Sequence, residues 1–323
     1  MNTVSAIVTT YRRPETLLRA IRSIINQRST PNEIVVVDNA GERTTEEVVS
    51  FSSNETRIPI RYIVENKRGA SAARNRGIKL AASDYVAFLD DDDVWLPSHI
   101  EQFHRICAYR ENKPILFGGW LARFGKPERL IIPESNKLFK DYVRNVKEEI
   151  IVRTQAPLIR PFFTPSMSTS IIERQEAGKV LFDEELVGRE DIYFVWQLAQ
   201  RGDVVLHEQV HALADQLDSS LFSVSKHAST EEELTMNMKK AFYGVKMLEK
   251  CCAGLEGRPP VEMKRELGSA YFDFSYVNAL SGNLRPAAKF LLKSMRIRLE
   301  RRHLKLALRV PLCHFVRARK RGS

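Results

Sequence analysis

The sequence predicts an α/β fold in which a doubly wound, Rossmann-like sheet is followed by a helical C-terminal region. Short apolar runs rich in β-branched residues alternate with helix-length segments between residues 4 and 95. Parallel strands joined by crossover helices require this alternation. Polar or acidic residues follow the ends of these runs, where open sheets of this type bind ligands. Beyond residue 231 only helical patterns occur.

Four strands and three helices account for the first part of the chain. The predicted strands are the apolar runs Val4–Thr10, Glu33–Asp38, Ile60–Val64 and Tyr85–Asp90. The first helix opens at a proline, which is favoured at the first helical position, and then repeats Leu and Ile at helical spacing. The predicted helices are Pro14–Asn26, Thr44–Phe51 and Ala70–Ala82.

The pattern loosens after Trp95. Residues 120–165 contain five prolines, and we expect them to be irregular. A domain boundary is expected at 224–225, which separates residues 1–224 from a helical region, 225–323. The other predicted elements are helix Pro97–Tyr109, strand Ile115–Gly119, strand Ser168–Ile172, a helix after Asp191 through Gln200, strand Val204–His207, and helices Glu231–Cys252, Val261–Leu280 and Pro286–Glu300.

The composition is that of a globular protein, with 43% hydrophobic and 28% charged residues. No segment approaches the roughly 20 apolar residues of a membrane span. The N-terminus enters a strand pattern at once, so we expect no secretion signal, and four cysteines without metal or disulfide spacing fit a reducing cytoplasm. Much of the net charge of +10 lies in Arg296–Ser323, which has ten basic residues against Glu300 alone.

Four consecutive carboxylates, Asp90–Asp93, follow the fourth predicted strand directly. Carboxylates this close repel one another and raise one another's pKa, so we expect a cation at this strand end. A hard divalent ion prefers oxygen ligands and is often bound together with a phosphorylated substrate. The alternative is a solvated acidic turn that caps the next helix.

Five motifs together resemble the family 2 glycosyltransferases of the GT-A fold, in that family's order and spacing. The resemblance covers residues 1–222 and leaves the C-terminal third uncovered. The motifs are VSAIVTTYRRP at 4–14, EIVVVD at 33–38, GASAARNRGI at 69–78, FLDDDDVW at 88–95 and GRED at 188–191.

The resemblance implies a nucleotide site at the first two strand ends. Thr9, Thr10 and Tyr11 would line the nucleobase and ribose, with Tyr11 as a stacking or hydrogen-bonding surface. Asp38 would accept a hydrogen bond from uracil or from a ribose hydroxyl. The alternative for Asp38 is an Asx turn, which is a common use of Asp at such a position.

The same resemblance also implies which residues bind the charged groups of the donor. Arg68 and Arg74 would meet the negative charge of the nucleotide, with the alternative that Arg74 or the adjacent Asn75 fixes the neighbouring loop. The DXD-type motif falls on Asp90, Asp91 and Asp92. Asp90 and Asp91 would hold the donor, and Asp92 would bind Mn²⁺ or Mg²⁺, which neutralises the charge of the leaving nucleoside diphosphate.

Asp191 is the expected catalytic residue. In the family, the corresponding carboxylate removes the proton from the acceptor hydroxyl while that oxygen attacks C1 from the face opposite the diphosphate. Glu190 would position the loop or the acceptor. The alternative is that both acidic residues only favour the positive N-terminus of the following helix.

The sequence departs from the family in two places. Residues 214–223 lack the His that many relatives use as an additional metal or diphosphate contact. His207 and His211 precede this stretch, and we expect them at a strand edge or on the surface. The Gln-x-x-Arg-Trp signature of processive synthases is also missing after Asp191, which favours the addition of a single sugar.

The implied function is an inverting, non-processive transfer of a sugar from a nucleotide-sugar donor, expected to be UDP-linked. The acceptor would be a hydroxyl of a glycan or lipid-linked molecule in bacterial surface polysaccharide synthesis. One alternative is a nucleotidyltransferase that makes sugar nucleotides, but residues 9–14 lack the glycine-rich phosphate loop of such enzymes. The other is a non-catalytic protein that binds nucleotide sugars.

The C-terminal segment Met295–Val316 mixes apolar residues with arginines, as do helices that bind anionic membrane surfaces. We therefore expect residues 296–321 to contact the inner face of the membrane. The alternative is a C-terminal helix that packs on its own domain with a solvated basic end. No nucleic-acid partner is expected, because no aromatic and basic platform accompanies the charge.

Overall fold

In the computed structural model, strands and helices alternate along the first half of the chain. Beyond residue 230, the secondary structure of the described residues is helical only. The structure describes residues 2–123, 126–130, 143–146, 149–152, 165–214, 230–255 and 259–307. The chain divides into two compact units, Met1–Glu185 with Glu190–Asp218, and Leu186–Arg189 with Ser219–Ser323. The predicted boundary at 224–225 lies outside the described residues and stays a prediction.

Four parallel strands form the first part of the sheet. Their bounds are those predicted, namely β1 Val4–Thr10, β2 Glu33–Asp38, β3 Ile60–Val64 and β4 Tyr85–Asp90. They lie in the order β3-β2-β1-β4, and their registers pair Thr10 with Asp38 and Thr9 with Asp90. Polar residues from three strands therefore end side by side at one edge of the sheet, as the sequence predicts.

The rest of the sheet is mixed, and its strands correct the prediction of an irregular region over residues 120–165 for the part of that range that the structure describes. Its strands are β5 Asp93–Trp95, β6 Leu116–Arg123, β7 Lys126–Leu130, β8 Val143–Val146, β9 Glu149–Val152, β10 Ile171–Glu173 and β11 Val204–Ala214. Beyond β4 the order is β10-β6-β11-β9-β8, with β10 antiparallel to β4. Pro127 lies on β7, which pairs with β6 alone among the described strands, and an edge strand tolerates the missing N–H of proline.

Five of the six helices described in this unit begin and end within a few residues of the predicted positions, and the helix Arg174–Val180 was not predicted. The six are α1 Pro14–Ile25, α2 Arg43–Ser53, α3 Ala70–Leu80, α4 His99–Tyr109, α5 Arg174–Val180 and α6 Glu190–Ala199. The predicted strand Ser168–Ile172 is displaced, because a 3₁₀ turn over Met167–Thr169 precedes β10. The predicted strand Val204–His207 is longer than expected and runs on to Ala214.

Two apolar layers enclose the sheet, one on each face. Neighbouring strand residues alternate between them, so Ile7 and Phe88 belong to one layer and Val8 and Leu89 to the other. Helix α3 packs closely on β1, because a Cβ atom at Gly77 would lie only 2.5 Å from Ile7 Cγ2. The glycine therefore allows a close approach that alanine would prevent.

Three buried histidines form a hydrogen-bonded row, which we call the histidine row. The prediction that His207 and His211 lie at a strand edge or on the surface is wrong, since they are 0% and 1% exposed. Nδ1 of His99 lies 3.0 Å from Nδ1 of His211, whose Nε2 lies 2.8 Å from Nδ1 of His207. The pairing register of β11 with β6 is irregular in the stretch of β11 that contains His207 and His211. Gly119 leaves room for the histidine row, because a Cβ atom there would overlap the ring of His211.

The second unit is helical over its described residues. Its long helices are α7 Glu231–Gly254, α8 Val261–Leu280 and α9 Leu284–Ile297. A capping box starts α7, in which the Glu233 N–H donates to the Thr230 hydroxyl and the Thr230 N–H donates to the Glu233 carboxylate. Across the described residues, every helix is too short or too polar to cross a bilayer.

The predicted basic tail, residues 296–321, is described only as far as residue 307. A helical segment, 301–307, follows α9, and its Leu306 packs with Ala287 and Leu291. This part of the tail therefore packs on its own unit, which was the alternative to membrane contact. Residues 308–321 lie outside the described residues.

Candidate active site

The first strand end and the acidic strand end are joined by hydrogen bonds. The Thr10 hydroxyl donates to Asp91 Oδ2 at 2.7 Å, and the Tyr11 N–H donates to the same oxygen at 3.3 Å. Burial raises the pKa of Asp91, although the bond from Thr10 and the charge of Arg13 oppose this shift. Asp91 is only 6% exposed, so it fixes the two strand ends relative to each other.

A cation does lie beside the acidic cluster, and it is the side chain of Arg13. Its Nη1 lies 2.6 Å from Asp92 Oδ2 and 3.3 Å from Asp91 Oδ1. Arg19 Nη2 also donates to the backbone carbonyl of Asp92 at 3.1 Å. The sequence analysis did not assign Arg13, although it lies in the turn after β1, at the same sheet edge as the acidic cluster.

Asp93 belongs to the core more than to the open edge of the sheet. Burial and the neighbouring charge of Asp90 raise its pKa to about 8, so its carboxyl group is protonated at neutral pH. The Asp93 side chain hydrogen-bonds Ser168, whose carbonyl accepts from Trp95 Nε1 at 2.7 Å. Repulsion within the cluster is thus relieved by ion pairing at some positions and by protonation at this one.

Arg74 links the acidic strand end to the start of α6. Its Nη2 lies 2.9 Å from Asp90 Oδ1, and its Nη1 lies 3.4 Å from Glu190 Oε1. The guanidinium also lies 5.5 Å from the centre of the Phe182 ring. Asp90 and Glu190 are therefore separated by the width of one buried guanidinium group. The pairing matches the alternative in which Arg74 fixes neighbouring structure.

Two polar atoms of this ion-pair bridge are buried and have no hydrogen-bond partner among the residues that the structure describes. They are Nε of Arg74 and Oε2 of Glu190. An unsatisfied buried donor or acceptor costs roughly 1–3 kcal/mol, so native proteins keep few of them. Groups left in this state are typical of sites that a ligand or a water molecule completes.

Asp191 lies beside Glu190 in the first turn of α6. Burial alone would lower the pKa of Arg74, but the charges of Asp90, Glu190 and Asp191 raise it, so Asp191 is within electrostatic range of the bridge. Asp191 Oδ1 also accepts from the Ile192 N–H at 2.7 Å. The predicted catalytic pair and the acidic strand end thus meet around Arg74.

Asp38 is fully buried and accepts three hydrogen bonds. Its Oδ1 accepts from the Ala40 N–H at 2.8 Å, and its Oδ2 accepts from the Glu42 N–H at 3.0 Å and the Tyr62 hydroxyl at 2.8 Å. The predicted alternative, an Asx turn, is therefore present. A carboxylate has about four lone-pair positions, so one remains for a nucleobase or ribose.

The remaining predicted nucleotide contacts differ in exposure. Thr9 is partly buried beside Asp90, and Tyr11 is 43% exposed with the Arg12 guanidinium 5.3 Å from its ring centre. Arg68 is exposed in the loop before α3, where it makes no hydrogen bond or ion pair with the other described residues. Tyr11 and Arg68 are accessible to a ligand at this edge of the sheet.

Two asparagines fix the surrounding loops: Asn75, for which this role was a predicted alternative, and Asn39, to which the sequence analysis gave no role. The Asn39 amide donates to two carbonyls within residues 65–67, and its oxygen accepts from the Gly69 N–H at 2.6 Å. The Asn75 amide donates to the Phe182 carbonyl at 2.9 Å and accepts from the Phe182 N–H at 2.7 Å. Each of these asparagines directly follows a charged candidate residue, and this adjacency is a sequence signal for a role in the site.

The residues present fit a divalent ion that arrives with its substrate. Within the described residues no three His, Cys, Asp or Glu side chains form a group that could hold a metal. A Mg²⁺-type ion does not need such a group, because it is usually held by one or two carboxylates together with substrate phosphates and water. Asp92 suits this role, since its side chain is 33% exposed whereas that of Asp91 is 8% exposed.

Residues 5–161 match the family model described as "Glycosyl transferase family 2". The uncharacterized glycosyltransferase YwdF of Bacillus subtilis (strain 168) is 38% identical over 155 residues, which are 48% of this chain and 55% of the relative. The Escherichia coli protein WfgD, a UDP-Glc:alpha-D-GlcNAc-diphosphoundecaprenol beta-1,3-glucosyltransferase, is 26% identical over 171 residues. That match covers 50% of this chain and 64% of WfgD, so the chain spans between half and two thirds of these relatives.

Two solved structures show the same fold. Staphylococcus aureus TarS 1–349 in complex with UDP has a TM-score of 0.55 at 18% identity, covering 91% of this chain and 88% of that one. The mannosyltransferase PcManGT from Pyrobaculum calidifontis, in complex with GDP-Man and Mn²⁺, has a TM-score of 0.54 at 17% identity, covering 95% and 79%. The family model thus places residues 5–161 in glycosyl transferase family 2, and the two solved structures show that the chain has the GT-A fold.

Proposed function

We propose that the chain is an inverting, non-processive glycosyltransferase that moves a sugar from a UDP-linked donor to a hydroxyl of a glycan or lipid-linked acceptor. The observation that carries the proposal is the position of Arg74 between Asp90 and Glu190. It joins a carboxylate at the donor edge of the sheet to the acidic pair at the start of α6. One sugar ring could therefore contact both groups.

Asp191 is the general base in this proposal. The acceptor oxygen forms a bond to C1 of the sugar, the bond from C1 to the diphosphate oxygen breaks, and the acceptor proton passes to the Asp191 carboxylate. Glu190 is held by Arg74, which orients the first turn of α6 and with it Asp191. A general base of this kind contributes about 10²–10⁴ to the rate.

Asp92 is the proposed ligand of a divalent ion that binds together with the donor. A bound Mn²⁺ or Mg²⁺ supplies positive charge that stabilises the leaving nucleoside diphosphate. Arg13 already neutralises Asp92, so the guanidinium must leave this carboxylate, or share it, when the ion binds. Once displaced, Arg13 would be free to contact the diphosphate as a second cation.

The nucleoside would lie along the ends of β1 and β2. Asp38 offers its remaining lone pair to the base or ribose, Tyr11 offers an exposed ring, and Arg68 is accessible to the diphosphate. Asp91 and Thr10 keep the two strand ends in register. Support for UDP comes from TarS, a structural neighbour that binds it.

The acceptor is the least constrained part of the proposal. WfgD, by its name, uses a diphosphoundecaprenol-linked sugar, and a similar acceptor would place this protein at the cytoplasmic face of a membrane. The basic residues that begin at Arg296 would favour such a location. We therefore include polyprenyl-diphosphate sugars among the acceptors to be tested.

Turnover of UDP-, GDP- and dTDP-sugars with Mn²⁺ tests the proposal, with release of the nucleoside diphosphate as the readout. Asp191→Asn should lower kcat by about 10² or more while the Kd for UDP stays within about threefold. Asp92→Ala should weaken UDP binding in the presence of Mn²⁺ but leave binding without the ion nearly unchanged. Glu47→Gln, which removes an exposed carboxylate from α2, is the matched control and should behave as wild type.

Activity of Asp191→Asn close to that of wild type would remove the assigned base. Tight UDP binding without turnover of any donor and acceptor would favour a non-catalytic binding protein. Formation of a sugar nucleotide from a nucleoside triphosphate and a sugar phosphate would favour a nucleotidyltransferase.

A further inference from the structure

We propose that the helical unit contains a binding pocket for a phosphate-type anion. The pocket lies between α8, the end of α9 and the segment 301–307, and its volume is about 80 Å³. A space of this size is large enough for one tetrahedral oxyanion. All of its lining residues belong to the second unit, so it is distinct from the candidate active site.

The charge around the pocket favours an anion. Three arginines line it, Arg265, Arg298 and Arg302, against the single carboxylate of Glu300. Glu300 pairs with Nε of Arg298 at 3.4 Å and with Nε of Arg302 at 2.9 Å. Arg265 is exposed and has no hydrogen-bond or ion-pair partner within the described part of the chain. Two positive charges are therefore uncompensated at the mouth of the pocket.

Arg302 has more donors than its protein partners use. Its Nη2 donates to the Ser269 hydroxyl at 3.2 Å, which uses one of the five N–H groups of the guanidinium. Its Nε is paired in charge with Glu300 but is buried without a hydrogen-bond partner among the described residues. The remaining N–H groups are suited to the oxygens of a phosphate, which Arg binds in a fork geometry. The ring of Phe272 lies 4.6 Å from this guanidinium and restricts its position.

The pocket is held in shape by a directed chain of hydrogen bonds. The Glu300 N–H donates to Nδ1 of His303, so the other ring nitrogen carries the proton. That Nε2–H donates to the Ser294 hydroxyl at 2.7 Å, and Ser294 donates to the Gly268 carbonyl at 2.6 Å. His303 is fully buried, and through these bonds it ties the loop that carries Arg298 to the helices behind it.

The close approach of α8 and α9 forms the floor of the pocket. A Cβ atom at Gly268 would lie 3.2 Å from Ile297 Cγ2, so the helices meet where no side chain intervenes. An ordinary cluster of surface ion pairs would have balanced charge and no cavity, and it would contribute little to stability. An excess of arginine donors around a preformed cavity is instead the arrangement of an anion site.

Two probes test the pocket in the full-length protein. One is inorganic phosphate, titrated by calorimetry at constant ionic strength set with chloride. The other is sedimentation with vesicles of phosphatidylcholine, with and without one quarter phosphatidylglycerol. The pocket variant is Arg265→Gln with Arg298→Gln, since both side chains are exposed and can be changed without disturbing the core. The control is Arg285→Gln with Arg296→Gln, which removes the same charge from exposed positions of α9 that do not line the pocket.

The pocket variant should bind at least one probe about tenfold or more weakly than wild type, whereas the control should stay within about twofold. Selective loss with both probes assigns the pocket to a lipid phosphate, and selective loss with phosphate alone assigns it to a water-soluble phosphate ligand. Equal loss in both variants, or no loss in either, would overturn the proposal and leave only a general basic surface. Equal melting temperatures of the two variants show that folding does not cause the difference.

Discussion

Lowering the pH from 7 to 5 should destabilise the fold through the histidine row, and His99 determines the size of the effect. Burial lowers the pKa of His99 from 6.5 to about 3. Below pH 6.5 the unfolded chain binds a proton that the folded state excludes, so the contribution of His99 is complete above pH 6.5 and is lost as the pH falls toward 3. Each pH unit in this window changes the free energy of unfolding by about 1.4 kcal/mol, so His99 contributes about 2 kcal/mol less to stability at pH 5 than at pH 7.

Other buried groups also titrate in this range, and their signs differ. Burial lowers the pKa of His211, so it adds to the effect of His99. The pKa of Asp93 is raised from 3.8 to about 8, so the folded state keeps a proton that the unfolded chain releases. The contribution of Asp93 is therefore complete below pH 3.8 and is lost as the pH rises toward 8. Because these slopes partly cancel in the wild type, a variant is needed to isolate His99.

Urea unfolding at half-unit steps from pH 5 to pH 7 measures the free energy of unfolding of wild type and His99→Phe. The aromatic replacement suits a position beside Trp95 and Phe117 and removes the titrating group. For His99→Phe, the slope of the free energy of unfolding against pH should be smaller than that of wild type by about 1.4 kcal/mol per pH unit below pH 6.5. His104→Phe is the control, and its slope should change less because His104 is only half-buried. Parallel curves for wild type and His99→Phe would refute the reasoning.

Three substitutions follow from the packing and the ion pairs. Arg74→Met should lower the free energy of unfolding by about 3–5 kcal/mol, because it leaves two carboxylates unpaired, and Arg74→Lys should recover only part of this in urea titrations. Gly119→Ala should cost about 2 kcal/mol or more in the same assay, because its methyl group overlaps the histidine row. Arg13→Gln should tighten Mn²⁺ binding in the presence of UDP by about tenfold in a metal titration, because a competing cation worth about 1.4 kcal/mol is removed.

Matched controls separate these effects from general damage. Arg76→Met removes an exposed arginine from the same helix as Arg74 and should change stability by less than about 0.5 kcal/mol. Gly178→Ala meets no atom within 4 Å on α5 and should be neutral or stabilising. Arg28→Gln removes an exposed arginine away from the acidic cluster and should leave Mn²⁺ binding unchanged. Equal effects in a variant and its control would contradict the corresponding prediction.

The sequence is most informative where one local pattern determines the structure. The strands β1 to β4 are short apolar runs with polar ends, and the rule that parallel strands end at a common edge then brings Thr10, Asp38 and Asp90 together. The motif containing Arg74 identifies a functional helix but leaves two roles open. The ion pairs of Arg74 could not be predicted from the sequence, because the partners Asp90 and Glu190 come from different parts of the chain.

The unpredicted features depend on contacts that no local pattern encodes. Four identical aspartates in a row cannot be told apart by sequence, yet Asp92 is partly exposed beside Arg13 while Asp93 is buried and protonated. The histidine row was missed because its members come from two elements and depend on an irregular strand and on Gly119. The short strands β7 to β9 were missed because prolines nearby resemble those of loops.

Helix α3 contacts both sides of the candidate active site and connects them. It is anchored on β1 at Gly77, while its Arg74 holds Asp90 and Glu190 and its Asn75 holds the loop at Phe182. A small displacement of the helix would therefore carry both carboxylates in the same direction. Thermal motion should alter the distance between them less than it alters the position of either.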